Sequence, residues 1–379
     1  MKKSLLISVL ALVFTAALAF TCASVSTAKD KPIIWKMSTP WPTGNDYFNV
    51  DKHFVNVVHE MAGGRLQIKL HPGGEIVPMI ELLPAVQNNV LQAASDWPGF
   101  WIGRNSAFNI LAGFPMSPQW TDVMTWIYVD GGHEIFNEVY GQYGMYYFPF
   151  FTAQAEAGIR GRPGSKKLKS LEDFKGAKIR MAGRLQGYIL KKLGAASVTI
   201  TPDEIYQSLE RGLVDYAEYA YPHVDWSIGL HEVTKEWNLP GWHQCESVMG
   251  VMMNKKAYDE LPKDLQAVIK YAAQATMLWS SGRSRLLSGV YTDKFLERGT
   301  HVNILDDASL DQIQKWAYEA ILEEAKANPL YAKAAYLLFK TAQKARPFES
   351  LGEMPIIKRK AIYPDMEALK KAAGPLLKE

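Results

Sequence analysis

Cysteine is scarce: only Cys22 and Cys245 occur among 379 residues. Cys22 falls in the leader described below, so the rest of the chain has no intrachain disulfide and must be held by its core. Charge of one sign is not in excess either. There are 42 Lys+Arg against 39 Asp+Glu, and Lys2 and Lys3 lie in the leader, so no nucleic-acid partner is expected. The basic clusters Lys166-Lys167-Leu168-Lys169 and Lys358-Arg359-Lys360 are local and read as solvated surface. Catalytic signatures are also missing. No His-Glu-x-x-His, Gly-x-Ser-x-Gly or phosphate-binding loop occurs, and His223, His231 and His243 are too loosely spaced for a zinc site. Cys245 has no evident base partner. These absences argue against an enzyme.

One long apolar run is present. Met1-Lys2-Lys3-Ser4 precedes an apolar stretch from Leu5 to Phe20, which ends among the small residues Ala23 to Ala28. This is the pattern of a secretory signal peptide, cleaved between Ala28 and Lys29, with a cut after Ala19 as the alternative. The run is short of the roughly 20 residues a membrane span needs. A lipid anchor on Cys22 is disfavoured by the bulky Phe20 and Thr21 before it. The remaining chain, 48% apolar overall, is long enough for two domains.

Periodicity then suggests a repeated β-α-β-α-β unit. In the first unit, Ile33 to Ser38 reads as a strand and Asp46 to Met61 as a helix closed by Gly63-Gly64; Arg65 to Leu70 is a strand, Pro78 to Asn88 a helix and Gln92 to Asp96 a strand. An aromatic and glycine-rich stretch runs from Trp97 to Phe151. The second unit has strands at Gln154 to Arg160, Ala177 to Met181, Val198 to Ile200 and Val214 to Ala220, with helices at Gln186 to Leu193 and from Thr201 to Gly212. Ser247 to Asn254 reads as a strand returning to the first unit. A long helix from Lys263 to Arg298 follows, then a strand His301 to Leu305 and helices Ser309 to Asn328 and Leu330 to Ala345. The last carries an apolar stripe of Tyr331, Ala334, Ala335, Leu338, Phe339 and Ala342, which is either core or a surface for a second subunit. Such alternation implies mainly parallel sheets with ligands at the carboxyl ends of strands. Arg180 sits at one such end, though alone it reads more readily as a surface arginine paired with an acid.

The block Gly176-Ala177-Lys178-Ile179-Arg180-Met181, with Leu193-Gly194-Ala195 and Tyr206 to Asp215, resembles the solute-binding subunits of TRAP (tripartite ATP-independent periplasmic) transporters. Glu218-Tyr219, Tyr221 to Asp225 and Pro240-Gly241-Trp242-His243 resemble the subgroup that binds α-keto acids or lactate through a metal ion. The resemblance implies an α/β, two-lobed periplasmic binding protein fold with a long connecting helix and C-terminal helices. It implies a signal peptide at 1–28, a first lobe of 29–152 plus about 246–285, a second of 153–245 plus about 286–328, and a helical extension of 329–379 that forms a homodimer. It further implies that Gln154 and Arg180 bind the ligand, and that Glu218, the backbone carbonyl of Tyr219 and Gln244 bind the metal. The oxygen-rich set suits calcium or sodium. Trp97, Tyr221 and Trp242 are candidate cleft walls, and Asp225 either joins the metal or caps a helix. The implied partners are a small organic acid and TRAP membrane subunits; a subunit of an ATP-driven importer and a ligand sensor are the rival readings. The exported protein is expected to begin at Lys29, and intact-mass measurement of the periplasmic form checks it; retention of residues 1–28 would overturn this reading of the leader.

Overall fold

A computed structural model describes residues 31–198 and 200–353. The expected leader, Cys22, the Lys358 cluster and the extension beyond 353 lie outside the described residues. The strands, in chain order, are β1 (Ile33–Ser38), β2 (Leu66–His71), β3 (Ala93–Asp96), β4 (Met145–Ala153), β5 (Ile159–Gly161), β6 (Lys178–Arg180), β7 (Ala196–Val198), β8 (Tyr216–Ala217), β9 (Glu236–Leu239), β10 (Ser247–Asn254) and β11 (His301–Ile304). They form two sheets, in the orders β2-β1-β3-β10-β4 and β11-β9-β5-β8-β6-β7. Each sheet is the centre of one lobe.

The sheets are mixed rather than mainly parallel. β1 runs parallel to β2 and β3, and β6 parallel to β7 and β8, as the alternating helices require. The strands that enter from the other lobe run against their neighbours: β10 is antiparallel to β3 and β4, and β5 to β8 and β9. The chain therefore crosses between lobes at 154–158 and at 240–246. These two crossovers lie side by side, because Glu156 N–H donates to the Gln244 carbonyl at 3.1 Å. The expected strand Gln154 to Arg160 is reduced to Ile159–Gly161 for this reason: its first half is a crossover, not part of a sheet.

A third connection is the helix Lys263–Glu297. It packs on β4 and on the helix Tyr47–Ala62, then continues to the short helix Pro222–Ser227 of the second lobe. Between Ile269 and Phe295 its buried face is mostly small residues, Ala272, Ala273, Thr276, Ser280, Ser281 and Ser284, with Met277 among them. Small side chains let the helix approach β4 closely, and Ser280 and Ser281 donate to the carbonyls of Phe150 and Thr152 at 2.9 and 2.5 Å. The helix Tyr47–Ala62 turns Val50, Phe54, Val58 and Ala62 inward on one face and stops at Gly63, whose φ of 57° is left-handed and suits glycine.

The stretch Trp97 to Phe151 contains the helices Phe108–Ala112, Trp120–Val129 and Gly132–Gly141 before β4. Its aromatics hide any helical period because the region is buried on several sides. Trp126, Phe136, Tyr140 and Tyr147 are fully buried there. The stripe on the helix Pro329–Phe348 joins the same core: Tyr331, Ala334, Ala335 and Leu338 are buried with Trp126 and Phe136. That stripe is therefore intramolecular core and is not free for a second subunit.

Burial shifts the titration of acids in the first lobe. Asp51, on the helix Tyr47–Ala62, is pushed up to about 7 by burial, which outweighs its hydrogen bonds. Asp96, at the end of β3, is also pushed up to about 7 by burial, although it accepts from Tyr140 and from Trp101 at 2.9 Å. A carboxyl whose folded value lies above its unfolded one binds its proton more tightly in the folded protein. Its stabilising contribution is complete below about pH 4 and is lost as the pH rises through 7. Denaturant unfolding should thus show stability falling between pH 4 and 7, each such group adding at most about 1.4 kcal/mol per pH unit. Asp51→Asn is expected to flatten that slope, and an unchanged slope would mean Asp51 is ionised in the fold.

Candidate functional site

The two crossovers meet the carboxyl ends of β6 and β8 between the lobes. Arg180 is the last residue of β6, and β8 ends at Ala217, immediately before Glu218. The parallel register of these strands brings Glu218 N–H to the Arg180 carbonyl at 3.1 Å. The two side chains then meet. Arg180 Nη1 donates to Glu218 Oε1 at 2.7 Å and to the Glu218 carbonyl at 2.6 Å, while its Nε donates to the Ile200 carbonyl at 3.2 Å. Ala182 N–H donates to the same Oε1 at 2.6 Å. Among the described residues, none accepts a hydrogen bond from Nη2.

The crossovers supply the rest. Glu156 comes from the first; His243 and Gln244 come from the second. His243 Nε2 lies 3.2 Å from Glu156 Oε2 and 3.7 Å from Glu218 Oε2. Gln244 donates to Glu156 Oε1 at 3.0 Å and to Ser247 Oγ at 2.8 Å. Close backbone approach makes this possible: a Cβ on Gly241 would collide with the Glu156 carbonyl. Behind His243, Gln186 donates to its carbonyl at 3.1 Å. Gln186 is on the helix Arg184–Lys192, which starts after Gly183, a residue with φ of 103° whose Cβ would strike the Gln186 amide.

All these groups are buried: Glu156, Glu218 and His243 are 6%, 3% and 1% exposed. Burial pushes the Glu156 carboxyl well up, and the charges of Glu218 and Asp225 add to it while Arg180 opposes. Burial lowers His243, which keeps its imidazole neutral. Each of Glu156, Glu218 and His243 offers one atom to a common centre, with all three atoms within 4.8 Å of one another. Glu218 is already paired with Arg180, and its other oxygen, with Glu156 and His243, makes a cluster that could hold an ion. The donor set therefore fits a metal ion.

The cleft holding these groups has an empty volume of ≈ 420 Å³ including its mouth. Trp41, Tyr47, Trp97 and Phe100 form its apolar wall, and Arg180, Glu218, Tyr219 and Gln244 its polar one. Tyr219 also spans the lobes, since Asn45 Nδ2 donates to its hydroxyl at 2.7 Å.

Of the expected residues, Arg180, Glu218, Tyr219, Gln244 and Trp97 come together here. Gln154 does not. The chain leaves β4 at Ala153, strand alternation is lost, and Gln154 donates instead to Ser288 on the long helix at 2.9 Å. Tyr221 and Trp242 are not cleft walls: Tyr221 is wholly buried against Phe151, and Trp242 packs on Phe174 in the second lobe. Asp225 lies inside the helix Pro222–Ser227 and pairs with Arg160. It accepts from Arg160 Nε at 3.0 Å and from Ala220 N–H at 3.1 Å. Glu156, His243, Asn45 and Trp41 were missed. The available signals were an acid two residues after Gln154, a histidine beside Gln244, and a loop rich in proline and aromatics directly after the first strand. Burial pushes the Cys245 thiol up to about 12, which leaves it unsuited as a nucleophile.

Comparison with known proteins places this chain in a family. The chain is 26% identical to a monocarboxylate 2-oxoacid-binding periplasmic protein of Nostoc sp. strain PCC 7120, over 91% of this chain and 94% of that protein. Its fold is similar to a TRAP transporter solute-binding protein of Bordetella bronchiseptica RB50, solved as a dimer with copurified calcium and picolinate in one site (TM-score 0.82, 24% identity, 90% of this chain and 100% of that one). It is also similar to a TRAP periplasmic solute-binding protein of Colwellia psychrerythraea with bound calcium and pyruvate (TM-score 0.81, 27% identity, 86% and 99%). The model of bacterial extracellular solute-binding proteins, family 7 (DctP), matches residues 37–327, and this chain belongs to that family of TRAP solute-binding proteins.

Proposed function

We propose that this chain captures a small 2-oxo or 2-hydroxy monocarboxylate, such as pyruvate, lactate or a longer keto acid, together with calcium or sodium. The observation that carries this reading is Arg180 at the end of β6, lining a cleft beside the oxygens of Glu218 and Gln244. A guanidinium presents a flat fork of donors that matches a carboxylate, and it stays charged at any physiological pH. Glu218, the Tyr219 carbonyl and the Gln244 amide oxygen would hold the metal. The ion in turn would accept the ligand's second oxygen, on the carbon beside the carboxylate. Gln154 lies outside this set, off the lining of the cleft, with its Nε2 donating to Ser288.

The division into lobes at 29–152 plus about 246–285 and 153–245 plus about 286–328 is supported by β10 lying in the first sheet and β11 in the second. Capture is a closure of these lobes, driven by contacts better made in the closed state. The loaded form is then delivered to membrane subunits, from a periplasmic protein freed of residues 1–28. A homodimer through the C-terminal helices would have to use the face bearing the exposed Tyr336 and Phe348, since the opposite face is core; light scattering that shows a monomer would count against it.

Calorimetric titration with pyruvate, lactate and longer keto acids, with calcium or sodium and then with chelator, tests the reading. No binding of any of these acids under any condition would sink it. Arg180→Ala is expected to abolish detectable binding, a loss of about 2–5 kcal/mol. Arg180→Lys should recover little, because a point charge replaces the fork; normal binding by that variant would reduce Arg180 to a steering charge. Tyr219→Phe keeps the backbone carbonyl but removes the hydroxyl bonded to Asn45. It should weaken binding by about 0.5–1.5 kcal/mol through a less stable closed form, and an unchanged affinity would show that this cross-lobe bond contributes nothing to closure.

A further inference from the structure

The cleft has a neighbour. Trp41, Pro202 and Tyr219, which line it, also line a second cavity with an empty volume of ≈ 1110 Å³ including open solvent. Resting on the reading that the cleft takes a small carboxylate, we propose that this second cavity holds an apolar tail on the acid, and that the preferred ligands are 2-oxo monocarboxylates of five or more carbons rather than pyruvate or lactate.

Both lobes build the cavity. The first gives Pro40 and Pro42 from the loop after β1, and Pro78, Met79 and Ile80 from the turn after β2. These two segments form one wall, since a Cβ on Gly73 would lie 2.8 Å from the Pro40 carbonyl oxygen. The second lobe adds Pro202 and Ile228. Trp41 stands on one lobe and Pro202 and Tyr219 on the other, so the boundary between the two spaces parts when the lobes open. A tail laid across it is clasped on closure, and the apolar area it buries favours the closed form.

The lining selects the chemistry of that tail. Proline nitrogens carry no hydrogen to donate, and Met79, Ile80 and Ile228 are apolar, so a polar tail would exchange water for few partners. Charge narrows the choice further. Among the described residues, the lining of this cavity includes Asp203 and no basic side chain, and the basic group lining the cleft is Arg180, which the first carboxylate uses. A second carboxylate at the far end of the ligand would meet Asp203 without a counter-charge. Dicarboxylates are thereby disfavoured.

The boundary itself is aromatic. Trp41 packs on Tyr47 and Phe100, with ring centroids 5.0 and 5.9 Å apart, and the Tyr219 hydroxyl already accepts from Asn45 at 2.7 Å. With that hydroxyl engaged, the ring is the part of Tyr219 left for a ligand to touch. Aromatic rings on both sides suit an aliphatic chain.

The test titrates the full mature protein calorimetrically, with calcium and sodium present throughout, through pyruvate, 2-oxobutanoate, 2-oxopentanoate, 2-oxohexanoate and 2-oxooctanoate. Each added methylene that enters the cavity is expected to tighten binding about fourfold. Pyruvate binding with a series that stays flat or falls beyond 2-oxobutanoate would overturn the proposal and leave the carboxylate reading standing, whereas no binding by any acid would remove both. 2-Oxoglutarate has the five carbons of 2-oxopentanoate and a second carboxylate, and should bind about tenfold more weakly than it; equal affinity would count against the apolar cavity. Asp203 is exposed, and Asp203→Lys should raise the affinity for 2-oxoglutarate, a gain that misfolding cannot produce. Ile80, also exposed, gives the reverse change: Ile80→Asp should weaken 2-oxooctanoate far more than pyruvate. Equal losses for the two acids, or an unchanged preference in both variants, would overturn the placing of the tail.

Discussion

The site depends on one carboxylate, Glu218, held out of water between a permanent cation and a neutral imidazole. A buried carboxylate is tolerable only where its lone pairs are met, and Glu218 meets Arg180 and Ala182 on one oxygen and faces His243 with the other. Each of those partners is delivered by a different piece of backbone. Arg180 needs the β6–β8 register, Ala182 the turn into the next helix, and His243 the second crossover. The geometry of Glu218 therefore reports on the assembly of the whole second lobe and its junction with the first.

The turn that carries Glu218 and Tyr219 is braced from behind by Arg160. This arginine on β5 is fully buried, with its guanidinium carbon 3.8 Å from the ring centroids of both Trp237 and Phe295. Burial lowers it to about 10, with Asp225 opposing, so it remains charged. Asp225 in turn fixes Ala220 N–H, two residues after Glu218. An ion pair sandwiched between aromatic rings adds little net stability after desolvation, but it allows few alternative arrangements. Its consequence here is positional: the backbone at 218–220 cannot drift without breaking a buried charge pair.

Much of the framework was legible in the sequence because long elements carry their own period. β1, β10 and the long helix lie within a residue of where apolar spacing put them. The Arg180 and Glu218 positions were legible only through a resemblance, since an arginine at a strand end has no local signature. Gln154 went astray for a physical reason. Alternation was carried past Ala153, but the chain there is a crossover, and crossover residues obey the contacts of two lobes at once. Glu156 and His243 escaped for the same cause. Tyr221 and Trp242 show the converse error, in which large aromatics near a ligand motif were assigned to its wall although the core claimed them.

Closure has its own wiring, separate from the ligand. Asp46, just ahead of the helix Tyr47–Ala62, receives both terminal nitrogens of Arg283 from the long helix at 2.5 and 2.7 Å. Burial works against its ionised form, yet Arg283 holds the carboxyl below its usual range. His223 of the second lobe stands 3.4 Å away and, pushed down to about 4 by burial, is neutral at physiological pH. The contact between first lobe and long helix is thus a charged pair, whereas that to the second lobe is a weak contact with a neutral ring. Asp46 thus ties the first lobe to the middle of the long helix, whose far end, at Phe295, packs on Trp226 and Trp237 of the second lobe. Between the lobes stand the Asn45–Tyr219 bond and the buried packing of Tyr221 on Phe151, and contacts made to a ligand in the cleft would add to that balance.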